Sequence, residues 1–220
     1  SRYQHRHTSS VKGNSLNPLH MQIIEDYKRI AQQQGFLFGS MEENRTFIIP
    51  NDRMLNTRNC FLSNNEMVYY AYDSYAAKVG MSSTYSGVYT AISNSFNDFQ
   101  AEISKHFWID FITGRKKVKT NDSFIDKYLS ISTNNVEQLL RIIDMRIAKD
   151  YLELWDKYSP VKIVVGIDYL QSIVAFKGKL IIGVELNEWV LPERFEQTFN
   201  DFQGIITEMI MKLNRHGRDV

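Results

Sequence analysis

The chain has 220 residues, of which 43% are hydrophobic and 23% charged, the make-up of an ordinary globular protein rather than of a disordered, collagen-like or disulfide-stapled chain. Its 26 Lys and Arg nearly cancel its 25 Asp and Glu, so no global field draws it to DNA or to an anionic membrane. No apolar stretch approaches the ~20 residues that cross a bilayer, and the single cysteine, Cys60, excludes an internal disulfide and fits a cytosolic or cytosol-facing compartment.

Residues 1–15 carry Arg2, His5, Arg6, His7 and Lys12, with Val11 as their one large aliphatic side chain. That composition predicts a disordered basic tail. Because the first residue is Ser1, the run also fits a basic juxtamembrane segment behind a membrane anchor, since Lys and Arg favour the cytoplasmic side. Leu19, Ile23, Tyr27, Ile30 and Ala31 then share one stripe. Pro18 suits the first turn of this helix and Gly35 its end.

From 36 to 132 the pattern changes to short aromatic and β-branched runs. Strands are expected at 47–49, ending in the turn Pro50-Asn51-Asp52, and at 67–72, 88–92, 102–111 and 124–131. The gaps are too short for crossover helices, so the sheet should be antiparallel. The stretch 80–87 reads as a flexible loop. Asn134 or Asn135 then caps a helix of about six turns, in which Val136, Leu139, Leu140, Ile143, Ile147, Tyr151 and Leu154 recur at helical spacing until Pro160. Residues 161–167 and 179–186 form a hairpin whose Gly166 and Gly183 mark bulges or close backbone contacts. A last helix over 193–213 aligns Phe195, Phe199, Phe202, Ile206, Met209 and Leu213, and 214–220 should fray. The sum is one α+β domain over 16–213, a mainly antiparallel sheet with three helices on one face, in the order helix, strands, helix, β-hairpin, helix.

The familiar catalytic signatures are missing: no phosphate loop, dinucleotide turn, zinc helix or nucleophile elbow occurs. No catalytic residue, metal or cofactor is assigned. His106 alternates with Glu102, Ser104, Trp108 and Asp110 on one face of the 102–111 strand. An imidazole beside a carboxylate can do acid–base work, but such neighbours also occur in any polar ladder. Arg58 beside Cys60 could lower a thiol pKa, yet a lone cysteine is usually a small buried hydrophobe. The carboxylate pairs Asp122/Asp126 and Glu185/Glu188 lack the histidine that a metal site would want and read as solvated. The sharpest charge cluster is Arg115, Lys116, Lys117 and Lys119, downstream of Phe107, Trp108 and Phe111. It is the candidate binding segment, suited to anionic lipid headgroups or a nucleic-acid backbone, or else a lysine-solvated hairpin loop.

The phrase Lys119-Thr120-Asn121-Asp122-Ser123-Phe124-Ile125-Asp126-Lys127-Tyr128-Leu129-Ser130-Ile131 resembles a K-T-x-D-x-x-F-D-K-x-F-x-I phrase found in a loose set of bacterial domains of unknown function. The likeness spans about 102–186. It departs at Tyr128, where phenylalanine is expected, and at Asn121, where glycine is common. It implies the soluble part of a membrane-anchored protein and brings no catalytic residues with it.

The function expected from these readings is a non-enzymatic domain on the cytoplasmic face of a membrane, binding a protein or an anionic lipid surface. One alternative is a hydrolase using His106 with Glu102 or Asp110. Another, disfavoured by the near-zero net charge, is nucleic-acid binding through residues 115–119.

Overall fold

The computed structural model describes residues 18–46, 54–76, 81–92, 98–106, 118–167 and 176–216. Eight strands form a single antiparallel sheet in the order β1-β2-β3-β4-β8-β7-β5-β6. The first four are β1 (Leu37–Thr46), β2 (Met54–Ser63), β3 (Val68–Ala76) and β4 (Met81–Ile92), a meander of neighbours in sequence. The others are β5 (Ala101–Lys105), β6 (Leu129–Thr133), β7 (Val161–Ile167) and β8 (Leu180–Leu186). The expected hairpin is present as β7–β8, and it is inserted between β4 and β5.

Helices α1 (Pro18–Gln34), α4 (Met145–Tyr158) and α5 (Phe195–His216) supply the apolar stripes that bury one face of the sheet. Pro18 opens α1 as expected, and Gly35 at φ +70° ends it, letting the Phe36 N–H turn back to the Ala31 carbonyl at 2.8 Å. The core on this side joins Tyr27, Tyr69, Val88, Ile163, Tyr151, Phe202 and their neighbours. Among the described residues, no helix is long and apolar enough to cross a membrane.

Several expectations change. The six-turn helix is interrupted: α3 (Val136–Leu140) ends at Arg141, and α4 restarts at Met145. Asn135 caps the first piece by accepting from the Gln138 N–H, and Asp144 caps the second by accepting from the Arg146 and Ile147 N–H groups. A capping carboxylate inside the periodic stretch offers the backbone a new start, and the break buries Ile142 and Ile143 side by side. The strand expected at 124–131 is a short helix, α2 (Ser123–Tyr128), followed by β6. Of the strand expected at 102–111, Ala101–Lys105 is strand, His106 lies beyond its end, and 107–111 lie outside the described residues. The stretch 80–87, read as a loop, instead supplies the first half of β4, from Met81. The last helix begins with a 3-10 turn at Pro192–Arg194 and runs on to His216. The expected strand and turn at 47–52, the tail 1–15 and residues 217–220 fall outside the described residues.

A polar knot pins α1 to the sheet. The Tyr27 hydroxyl donates to the Val190 carbonyl, which leaves Tyr69 to donate to Tyr27 at 2.6 Å. Phe195 sits edge-on to both rings, 5.7 Å from Tyr27 and 5.0 Å from Tyr69. Burial pushes both phenols well above their ordinary pKa, so they remain hydrogen-bond donors. Tyr27→Phe removes the central hydroxyl and takes its donor from the buried Val190 carbonyl, while Tyr69 keeps the Ser86 side chain within reach. The expected cost is about 2 kcal/mol, read as a lower urea midpoint with an unchanged slope.

Candidate binding surface

The phrase 119–131 folds into a compact device. Asn121 takes the left-handed conformation, φ +65°, which asparagine tolerates almost as glycine does. That turn lets Asp122 cap α2, its carboxylate accepting from the Phe124 and Ile125 N–H groups at 2.8 and 3.1 Å. Asp126 reaches back to accept from both the N–H and the hydroxyl of Thr120, each at 2.8 Å. Both acids of the phrase are therefore tied to local backbone and hydroxyl donors.

The outward side of this device is aromatic and basic. Phe124 and Tyr128 stand one helical turn apart with ring centroids separated by 4.8 Å. Lys127 lies over the Tyr128 ring at 4.9 Å, and Lys149 of α4 over Phe124 at 5.5 Å. Met145, one turn before Lys149, is 48% exposed and Tyr128 is 38% exposed. Lys119, also exposed, precedes the turn, and Val118 joins the edge of the sheet by donating to the Ile131 carbonyl at 3.3 Å. Of the basic segment singled out in the sequence, only Lys119 is placed. Arg115, Lys116 and Lys117 lie outside the described residues. Lys127 and Lys149 belong to the same surface; the strand expected at 124–131 does not bring Phe124 and Lys127 onto a helix beside Lys149.

His106 is half-buried, its N–H donating to the Tyr128 carbonyl at 2.8 Å. The Glu102 carboxylate faces the Lys162 ammonium at 3.6 Å, and Asp110 lies outside the described residues. Cys60 is fully buried, and desolvation pushes its thiol up to about 12, so it packs as a small apolar side chain. Among the described residues, no three His, Cys, Asp or Glu side chains stand together as a metal site. A groove of 380 Å³ between α4 and α5 is lined by Asp150, Glu153 and four charges that pair: Arg146 with Glu208 at 3.1 Å, and Asp201 with Lys157, Asp201 also accepting from the Tyr158 hydroxyl.

The face of the sheet opposite the helices holds an unexpected polar trio. Val68, Tyr70, Tyr89, Val164, Phe176 and Ile181 form a second apolar cluster there. Beside it Glu185 is 3% exposed. It accepts from the Tyr89 hydroxyl at 2.9 Å and pairs with Lys162, its register partner on β7, at 3.1 Å. Tyr89 reaches it by lying flat over glycine. A methyl group added at Gly183 would stand 2.1 Å from the ring, and one added at Gly87 would stand 2.4 Å from the Val184 carbonyl. Gly183 thus marks a close contact, as expected. The other signal available in sequence was one base and one acid placed inside the apolar runs Val161–Ile167 and Leu180–Leu186.

Burial raises the Glu185 pKa from its ordinary value of 4.5, against the opposing pull of Lys162 and Tyr89, with Glu102 adding to the rise. A carboxyl raised by folding binds its proton more tightly in the native state. The stability this adds is present at acid pH and is lost as pH rises from about 4.5 through the native value. Glu185→Gln cannot titrate, so its stability relative to wild type should improve as pH increases across that window, measured by urea melts at closely spaced pH. Gly183→Ala should destabilise by about 2–3 kcal/mol, because the ring has nowhere to move without leaving Glu185.

Comparison of the chain with protein-family models, with curated proteins and with solved structures finds no match.

Proposed function

We propose that this chain is a non-enzymatic binding domain that meets an anionic lipid surface, at the cytoplasmic face of a membrane, through the aromatic and basic side of α2 and α4. The observation that carries the reading is the exposed cluster of Lys127, Tyr128, Met145 and Lys149 around the partly buried Phe124 ring, with lysine ammonium groups over both rings. Aromatic rings and lysines with long apolar stems are the side chains that settle at a headgroup boundary, rings and stems in the apolar zone and ammonium groups among the phosphates. Capping and turn bonds hold Asp122 and Asp126 against the backbone, so they do not project with the lysines. Arg115, Lys116 and Lys117 stand immediately upstream in the sequence and would add to the same attraction. The resemblance of residues 119–131 to membrane-anchored domains points in the same direction.

Each basic residue near an anionic membrane contributes about 1 kcal/mol, so Lys119, Lys127 and Lys149 together give weak, reversible and salt-sensitive attachment. Co-sedimentation with phosphatidylserine-containing vesicles should be detectable at low ionic strength, fall at physiological salt and vanish on pure phosphatidylcholine. The double variant Lys127→Gln/Lys149→Gln should bind about thirtyfold more weakly, at about 1 kcal/mol per charge. Equal retention on both vesicle types, or no response to the double variant, contradicts the proposal. Salt-dependent retention on an oligonucleotide with none on vesicles would give the surface to nucleic acid instead.

A further inference from the structure

A second feature lies at the far end of the Glu185 trio. The Lys162 ammonium stands between two carboxylates, 3.1 Å from Glu185 and 3.6 Å from Glu102. With both acids ionised, Lys162, Glu185 and Glu102 together carry one surplus negative charge. Glu185 is buried and holds the ammonium more closely, whereas the Glu102 side chain is 41% exposed. The surplus is therefore presented by Glu102.

Glu102 opens into a cleft of 450 Å³ at the end of β5, β6 and β7, lined also by Gln100, Ser132, Thr133, Asn134 and Gly166. This wall is braced. The Thr133 hydroxyl donates to the Gln100 carbonyl at 2.8 Å, and the Gln100 N–H donates to the Asn134 side chain at 2.9 Å. Asn134 also donates to the Asp98 carbonyl. The turn at 98–100 and the end of β6 are thereby fixed relative to each other, so little ordering remains to be done on binding. Gly166 adds no side chain to the cleft, and Ser132 and Gln100 add exposed polar groups beside the carboxylate.

We propose that this cleft binds a guanidinium group, with Glu102 as its anchor and Ser132 and Gln100 as further acceptors. A guanidinium is favoured over a small ammonium because it is planar, presents several N–H donors at once and pairs with a carboxylate through two parallel bonds. Lys162 stands closer to Glu185 than to Glu102, 3.1 against 3.6 Å, so an entering cation shares Glu102 with an ammonium already engaged by the buried carboxylate. This site lies at the far end of β6 from α2 and its lysines and does not rest on the lipid reading.

The test is an amide NMR titration of the whole chain at neutral pH with agmatine, with an acetyl-Gly-Arg-Gly-amide peptide, and with the same peptide carrying citrulline, its uncharged counterpart. Saturable shifts at 100–102, 132–134 and 165–166 are expected with agmatine or the arginine peptide and not with citrulline. The tighter of the two probes tells a free small molecule from a side chain on a partner. Glu102→Gln should weaken the response at least tenfold, and Gln100→Lys, which places a positive charge in the cleft, should weaken it further. Shifts elsewhere should stay unchanged in both variants, which establishes that the fold is intact. No saturable response, an equal response to citrulline, or binding that survives Glu102→Gln overturns the assignment.

Discussion

A carboxylate in the middle of an eight-stranded sheet is the constraint around which this fold is arranged. Removing such a group from water costs several kcal/mol unless another charge and a hydrogen bond replace the lost hydration. Glu185 obtains both, from Lys162 on one neighbouring strand and from Tyr89 on the other. Each solution demands a particular alignment. Lys162 is directly opposite Glu185 across β7–β8, and Gly183 is directly opposite Tyr89 across β8–β4. A slip of one residue in either pairing would turn Lys162 toward the helices or drive a ring into a side chain. The polar trio therefore specifies the register of the three strands that join the β1–β4 meander to the β5–β6 end.

The two faces of the sheet consequently differ. Toward the helices lie the large apolar side chains and the Tyr27–Tyr69 knot, which secures α1. On the opposite face a smaller aromatic cluster surrounds the charges, with Tyr72 and Tyr85 stacked at 5.1 Å and Tyr70 beside them. The β5–β6 end carries both of the proposed binding surfaces. The capped helix α2 leads directly into β6 and displays aromatic rings and lysines, while the cleft at the other end of β6 displays Glu102. One is basic and the other acidic, which explains how a chain with almost no net charge can still have two oppositely charged surfaces.

Periodicity made the main elements readable. The stripes of α1 and α5, the β7–β8 hairpin and the antiparallel sheet all follow from apolar spacing and turn chemistry. What escaped is equally physical. The short apolar run of Phe124, Ile125, Tyr128, Leu129 and Ile131 reads as a strand, but Phe124 and Tyr128 stand at the helical spacing of four, and the tie of Asp122 and Asp126 to neighbouring donors holds the first part as a helix. The break before α4 arises from Asp144 acting as a cap inside an otherwise continuous periodic stretch. The small, polar first half of β4, with Ser82, Ser83, Thr84 and Ser86, looks like a loop until β3 is there to pair with it. The cleft and the trio depend on β7 lying between β8 and β5, a neighbour relation that local pattern does not contain.

The claim that Lys162 and Glu185 act as one unit is tested most directly by a double-mutant cycle with Lys162→Met and Glu185→Leu, followed by urea denaturation. Because Lys162 is partly exposed, the account predicts a coupling energy at the lower end for such pairs, about 2 kcal/mol, with the double variant more stable than the sum of the single losses allows. Strictly additive losses would show that the two side chains do not depend on each other, and would contradict it.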